Sequence, residues 1–396
     1  MVQKPYSRHV PTIFGEGVLL QMGEMAAEAG KKKAFLVCDK GVEAAGGVQR
    51  VEDALERAGL DFMVYTDVFL DPTDESVDCA GDAAKLYGAD VVIGVGGGSA
   101  MDTAKGTSVL LANPAKKIRQ CMTENGGAGT FKTTVPVFLV PTSSGTGSEG
   151  SPMCIIHELQ TDSKKTVERY ADLAVLDPTM TYTCPEFVTI SSGLDAMAHS
   201  IEALTSNRYN PWSTALCKDA LQIITQFLPI AVREPENYEA RSLMLYAANA
   251  AGDGLANMSV HIGHCFGHEA GLHFHLTHGY ASGIALPEVI DFVADKSPQT
   301  VRLVAKCIGI EIPECMGDVA AGQLVSNWIR VFMREIGTIP LKDMKDKLSG
   351  EPITREMCVA LAHGAIDHNW FHICAPGDVS YGQMEEFCGK VFDNYQ

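Results

Sequence analysis

The first half of the chain alternates short apolar runs with amphipathic ones. KAFLVCD (33–39) and DFMVYTDVF (61–69) are rich in β-branched and aromatic residues and predict strands. VQRVEDALERAG (48–59) and ESVDCAGDAAKLYGA (75–89) bring apolar residues back at three- and four-residue spacing, which predicts helices. DVVIGV (90–95) is apolar almost throughout, as a strand covered on both faces must be. It stops on Gly96, Gly97 and Gly98, and the helical run AMDTAKGTSVLLAN follows. VPVFLVPTSSGTGSE (135–149) predicts another buried strand and a second turn of small residues, and residues 150–186 predict an antiparallel excursion before the strand ADLAVLDP. Strand–helix alternation of this kind implies a Rossmann-like parallel sheet with helices on both faces.

From about Phe187 the period is helical almost throughout. SSGLDAMAHSIEAL, PWSTALCKDALQIITQFLPIAVRE, YEARSLMLYAANAAGDGLAN and PQTVRLVAKCIG are separated by Pro and Gly, with no internal repeat. The expected fold class is therefore an α/β domain over residues 1–186 followed by an all-helical domain over residues 187–396.

A chain of 396 residues is long enough for two or three domains. No stretch reaches the roughly 18 uninterrupted apolar residues of a membrane helix, and MVQKPYSRHVPTIFG lacks the apolar core of a signal peptide. A cytoplasmic protein with no membrane partner is expected. The 12 cysteines are scattered from Cys38 to Cys388 and read as reduced core thiols. A net charge of −18 with no basic cluster argues against nucleic acid as a partner.

Two loops and one helical stretch carry the chemistry. A strand ending in glycines and running into a helix puts bare N–H groups and the positive end of a helix dipole at one point, which suits a phosphate. Thr142–Ser148, after the next strand, is a second loop dense in hydroxyls and donors. Asp39, at the end of the first strand of the alternation, is a carboxylate positioned to accept from a ribose diol. It precedes the glycines, so the pattern is not G-x-G-x-x-G. In the helical half, six of the 12 histidines fall within residues 261–278. His261, His264 and His268, at i, i+3 and i+7, are expected on one helix face, with His273, His275 and His278 following. Asp195 and His199, at i and i+4, aim at one point. With His264 and His278 they form a set that borderline divalent metals accept.

Together GGGSAMDTAKG, PTSSGTGSE, GLDAMAHSIEA and HIGHCFGHEAGLHFHLTHGYASGIALP resemble the iron-containing (group III) alcohol dehydrogenase family, in order along nearly the whole chain. The resemblance implies metal ligands Asp195, His199, His264 and His278, with His268 a non-ligand histidine beside nicotinamide and substrate. It implies diphosphate contacts at Gly97, Gly98 and Ser99, a second cofactor loop at Thr142, Ser143 and Thr146, and a ribose-binding acid at Asp39. Asp71 and Asp102 complete the expected cofactor contacts. Fe2+ is the expected metal, with Zn2+ the alternative, and a homodimer the expected assembly. The chain departs from the family's pattern at Ala100, where many members have Pro, and at Asp71-Pro72-Thr73, where Asn-Pro-Thr is usual. The segment between Lys164-Lys165 and Asp177-Pro178 is short, so no lysine is carried over from it. DHNWFHICAPGDVSYGQ lacks the common Asn-Pro-Arg.

The expected reaction is an NAD(H)-linked reduction of a short, polar aldehyde to a primary alcohol, with His268 relaying the proton. Asp39 favours NAD over NADP because a carboxylate repels a 2′-phosphate. Asn249, Asp253, Asn257, His261, His273 and Trp370 are the pocket candidates that suggest a polar substrate. Competing readings are a lyase resembling dehydroquinate synthase, a polyol (glycerol-type) dehydrogenase of the same fold, and a non-catalytic metal-binding protein. The lyase would hold phosphate and carboxylate groups with Lys and Arg, yet none occurs between Arg241 and Lys296.

Overall fold

The structure, a computed structural model, describes residue 6, residues 10–367 and residues 370–393, with Trp370 by its backbone alone. The chain forms two compact units, one running from Arg8 to Cys184 and the other from Pro185 onward together with the N-terminal residues up to Ser7, so the expected first domain gives up its N-terminal segment to the helical one.

In the first unit, strands β1 (Thr12–Phe14), β8 (Leu173–Leu176), β5 (Val137–Pro141), β4 (Val91–Gly96), β2 (Lys33–Val37) and β3 (Asp61–Tyr65) lie side by side in that order. Every pairing is parallel. The excursion is a separate antiparallel pair, β6 (Met153–Glu158) with β7 (Ser163–Glu168). Helices α1 (Val18–Glu28), α2 (Lys40–Ala44), α3 (Gly47–Arg57), α4 (Asp74–Tyr87) and α5 (Gly98–Ala112) connect the strands.

Strand alternation explains why both sheet faces are covered. Leu36, Val91, Ile93, Val95, Val140 and Val175 face one side, where they pack with Leu19 and Met22 of α1 and Val51 and Leu55 of α3. Their neighbours Phe35, Val37, Val92, Leu139 and Ala174 face the other, with Ala84 of α4 and Met101 and Ala104 of α5. A parallel sheet puts all strand C-termini along one edge, so Asp39, Asp71, Gly96–Ser99 and Thr142–Ser148 all follow strands there.

After β8, the described elements are all helical. They are α6 (Glu186–Thr205), α7 (Pro211–Arg233), α8 (Tyr238–Met258), α9 (Ile262–Phe274), α10 (His278–Ile284), α11 (Leu286–Val293), α12 (Pro298–Cys307), α13 (Asp318–Glu335), α14 (Arg355–Asp367) and α15 (Tyr381–Asp393). α7 is long and apolar enough, by length and composition, to cross a membrane. Its buried residues Ser213, Cys217, Ala220, Leu221, Ile224 and Leu228 form one helical stripe, as in a core helix packed on α6 and α8.

Candidate functional site

The glycine loop is shaped partly by the protein and partly for something else. Gly96 has φ +151°, and a Cβ there would lie 2.8 Å from the Ala100 Cβ. A Cβ on Gly98 would lie 2.9 Å from Cγ2 of Thr146, so packing of the two loops against each other requires that glycine. Gly97 is different, since a Cβ would meet only Ser143 Oγ at 3.5 Å, an ordinary contact. Nothing in the chain forbids a side chain at Gly97. It is the N-cap of α5 and supplies no side-chain cap, so the first-turn N–H groups face a cradle that a Cβ would fill. Thr142, Ser143 and Thr146 are half-buried around it, and the Thr142 N–H donates to Gly96 O at 3.0 Å.

The carboxylates at this edge have more specific duties than their sequence positions suggest. Asp39 caps α2, its Oδ1 accepting from the N–H groups of Gly41 at 2.8 Å and Val42 at 3.0 Å, while Oδ2 takes no part in the cap. Lys40, which would soften the repulsion of a 2′-phosphate, is paired with Asp67 at 3.2 Å. Asp71 sits at φ +55°, where its N–H donates to Ser99 Oγ at 3.3 Å. Its Oδ1 accepts from Lys164 Nζ at 2.8 Å. Lys164 is therefore a residue of this edge that the sequence reading passed over, because the length of the segment gave no reason to single out one lysine of the Lys164-Lys165 pair.

Asp102, expected at the cofactor, makes its contacts inside the unit. It is buried, Oδ1 accepts from Ser148 Oγ at 2.7 Å, and Oδ2 accepts from the Ile155 N–H at 3.0 Å. The fully buried Lys105 lies 4.0 Å away and donates to Ser148 Oγ, Ser151 O and Met153 O. Burial pushes the Asp102 carboxyl above its usual range and Lys105 only partly offsets this. The pair braces α5 against the second loop, with both Asp102 oxygens already accepting.

In the helical unit Asp195 and His199 project from one face of the buried α6. His264 comes from α9 and His278 from the first position of α10. One donor atom from each of the four lies within 4.8 Å of the others. Asp195 Oδ1 stands 3.7 Å from His199 Nε2, 3.7 Å from His264 Nε2 and 3.8 Å from His278 Nε2. These separations are too long for hydrogen bonds and fit ligands of one ion. Asp195 Oδ1 and His264 Nε2 are both buried without a hydrogen-bond partner, a costly arrangement that a cation at their common focus would resolve. The residues therefore fit a divalent metal. The convergence needs very close helix packing: a Cβ on Gly279 would lie 2.5 Å from Asp195 Cβ and 2.6 Å from Ser191 O. That explains the glycine directly after His278.

Behind the set lies Glu202, fully buried on α6 and absent from the sequence-based list. Its Oε1 is 2.6 Å from His264 Nδ1, and Oε2 accepts from the His261 N–H at 2.6 Å. A carboxylate on Nδ1 fixes the tautomer and turns Nε2 toward the focus. The signal was present, because Glu202 is i+7 from Asp195 and i+3 from His199, on the same helical face. Burial raises the Glu202 carboxyl, but His264 and His261 pull it down to about 2. Burial lowers the His264 imidazole, yet Glu202 and Asp195 outweigh it and raise it to about 9.

His268 lies one turn past His264, buried, with its ring 5.1 Å from that of His278 and 5.6 Å from Phe371. His261 does not share its face, for it precedes the helix at φ −146° and contacts Thr205 Oγ1 at 2.9 Å. The expected polar pocket loses members in the same way. Asp253 accepts from Ser213 Oγ at 2.7 Å, Asn257 Nδ2 at 3.3 Å and Tyr6 OH at 3.2 Å, so both Asp253 and Asn257 serve the interior. His273 is half-exposed and pairs with Glu269 at 3.4 Å, Asn249 is buried on α8, and the Trp370 side chain lies outside the described residues.

A parallel α/β unit with an open glycine cradle and a helical unit with a largely buried aspartate–trihistidine cluster are the equipment of a metal-assisted dehydrogenase. Residues 10–178 match the model of iron-containing alcohol dehydrogenase, and residues 189–381 match the C-terminal domain of the Fe-containing alcohol dehydrogenase family. Sulfoacetaldehyde reductase of Bilophila wadsworthia is 30% identical over 358 residues, covering 89% of this chain and 90% of that one. NAD-dependent methanol dehydrogenase of Bacillus methanolicus is 29% identical over 306 residues, covering 75% and 78%. The solved structure of a 1,3-propanediol oxidoreductase has a TM-score of 0.89 at 25% identity, covering 98% of this chain and all of that one. The chain belongs to the iron-containing alcohol dehydrogenase family and is an oxidoreductase.

A prediction follows from the Glu202–His264 contact. Because a metal must take Nε2, binding expels the proton that His264 holds below about 9. Affinity should therefore rise by up to about tenfold per pH unit and level off above that value. Glu202→Gln should weaken binding by about 10- to 100-fold on the plateau and flatten the slope below it. Zinc competition titrations across pH measure both, and wild-type affinity on the plateau would remove Glu202 from the centre.

Proposed function

We propose that this protein catalyses the NADH-linked reduction of short, polar aldehydes to primary alcohols. The observation that carries the chemistry is the buried convergence of Asp195, His199, His264 and His278, with His268 beside it and no ligand role in that set. The choice of substrate is supported by the relatives, since sulfoacetaldehyde and 1,3-propanediol are both small and polar. NAD as cofactor is supported by the methanol dehydrogenase likeness and by Asp39.

When bound, the metal polarises the substrate oxygen and the nicotinamide exchanges the hydride with the carbon. Asp195, His199, His264 and His278 would hold the ion, and Glu202 keeps Nε2 of His264 directed at it. The His268 imidazole carries the proton that the alcohol oxygen gains. Its burial and its packing against Phe371 hold it in place and keep bulk water off. Gly97 and the first-turn N–H groups of α5 would bind the diphosphate, with Ser99 fixed by the Asp71 N–H.

Steady-state rates with NADH and added Fe2+ or Zn2+ should give higher kcat/KM for sulfoacetaldehyde, lactaldehyde, 3-hydroxypropanal or a semialdehyde than for hexanal, by about tenfold or more. Hexanal as the best substrate would overturn the polar assignment. His268→Ala should keep its metal and lose about 10²–10⁴ in kcat; loss of the metal would make it a ligand or a support of one.

The cofactor preference is best tested with Asp39→Ser, which keeps an N-cap acceptor for α2 while removing the charge. The wild-type enzyme should prefer NADH over NADPH. The variant should shift that ratio toward NADPH by about tenfold, the scale of one lost like-charge contact. An unchanged ratio would mean that Asp39 only caps its helix.

A further inference from the structure

Three of the four proposed ligands are buried, and the fourth is partly exposed. The side chains of Asp195, His199 and His264 are 2%, 4% and 2% exposed, whereas that of His278 is 27% exposed. Asp195 and His199 also ride on the 20-residue α6 and His264 on the 13-residue α9. His278 opens the seven-residue α10, directly after the link His275–Thr277. Gly279 seats the start of α10 against α6, and the link sets how the chain enters that start.

The link is held from outside. His275 adopts φ +55°, a left-handed conformation uncommon for a non-glycine residue. Its Nδ1–H donates to Asp346 Oδ2 at 3.2 Å. Asp346 is nearly buried, and its Oδ1 accepts from the N–H groups of Leu348 at 2.8 Å and Ser349 at 2.6 Å, so the carboxylate anchors a tight turn and the link together. Lys347 adds two more contacts, its N–H donating to Phe274 O at 3.3 Å and its Nζ to Thr277 Oγ1 at 3.2 Å. Thr277, the N-cap of α10, makes no side-chain cap to its own helix.

We propose that Asp346 is a positioning residue for the metal ligand His278, acting through His275. The inference rests on the assignment of Asp195, His199, His264 and His278 as ligands. Without the Asp346–His275 bond the left-handed turn keeps only the Lys347 contacts at its two ends, and His278 samples positions away from the focus of the other three. The metal site then has three fixed ligands and one mobile one.

The experiment measures the zinc dissociation constant of the metal-stripped full-length protein by competition with a chromophoric chelator, together with its thermal midpoint before zinc is added. Asp346→Ala and His275→Gly should each raise the dissociation constant by about tenfold or more, the scale seen when a ligand's support is removed. The double variant should be no weaker than the weaker single, because one bond is being broken twice. His275→Asn should return to within about threefold of wild type, since Asn tolerates the left-handed region and its amide can donate to Asp346. His275→Gly relieves rather than adds backbone strain, so it keeps the test informative if Asp346→Ala fails to fold. Wild-type affinity in His275→Gly, or losses in the double that multiply, would overturn the proposal. A wild-type chain that binds no zinc would overturn the ligand assignment itself.

Discussion

Two buried carboxylates on α6 constrain the metal-ligating cluster of the helical unit. Asp195 and Glu202 are both buried, both held ionised, and both within reach of the same imidazole, His264. With three neutral imidazoles the group carries two negative charges, and an uncompensated charge in such a place is prohibitively costly. A single divalent cation cancels both. The raised proton affinity of His264 expresses the same demand, because a proton there meets half of it. The centre is thus matched to charge as well as to ligand type, which is why a carboxylate that never touches the metal belongs to the site.

Close packing around that charge follows from the same demand. Water must be kept away for the electrostatics to be strong, so α6, α9 and α10 approach until no side chain fits between them at Gly279 or at Gly263, where a Cβ would lie 2.7 Å from Glu202 Oε1. The α/β unit solves a similar problem without a metal. Lys105 satisfies its ammonium with three oxygens and stands beside Asp102, and this interior pair joins the helix of the first cofactor loop to the second loop. One core carries its basic group in the chain, and the other offers a ligand set for a cation to be supplied.

What the sequence made legible was local. The strand–helix rhythm, the antiparallel excursion and the change near residue 187 all rest on periodicities of a few residues, and the structure follows them. Asp195 and His199 could be paired because helical phase extends four residues reliably, and Glu202 could have been added on the same phase. His261 shows where that reasoning fails. Its spacing from His264 is helical, but the helix begins one residue later, so the phase does not apply to it. Asp39 as a helix cap, Lys164 on Asp71 and Asp346 on His275 were beyond reach for another reason. The cap depends on a short helix that periodicity does not reveal, and the other contacts join residues 93 and 71 positions apart through turns at positive φ.

A chain of net charge −18 would have to hold a diphosphate without help from its side-chain charges. Long-range attraction does not help, since the protein as a whole repels anions. Nor do the lysines at that edge, because Lys40 is paired with Asp67 and Lys164 with Asp71. What remains is the backbone: the N–H groups at the start of α5, left uncapped by any side chain and opened by Gly97. These are fixed dipoles at contact distance, strong only where the phosphate sits and indifferent to the overall charge. Binding and selection are therefore separate in this unit. On the proposed reading, amide groups would hold what NAD and NADP share, and Asp39 would act on what differs.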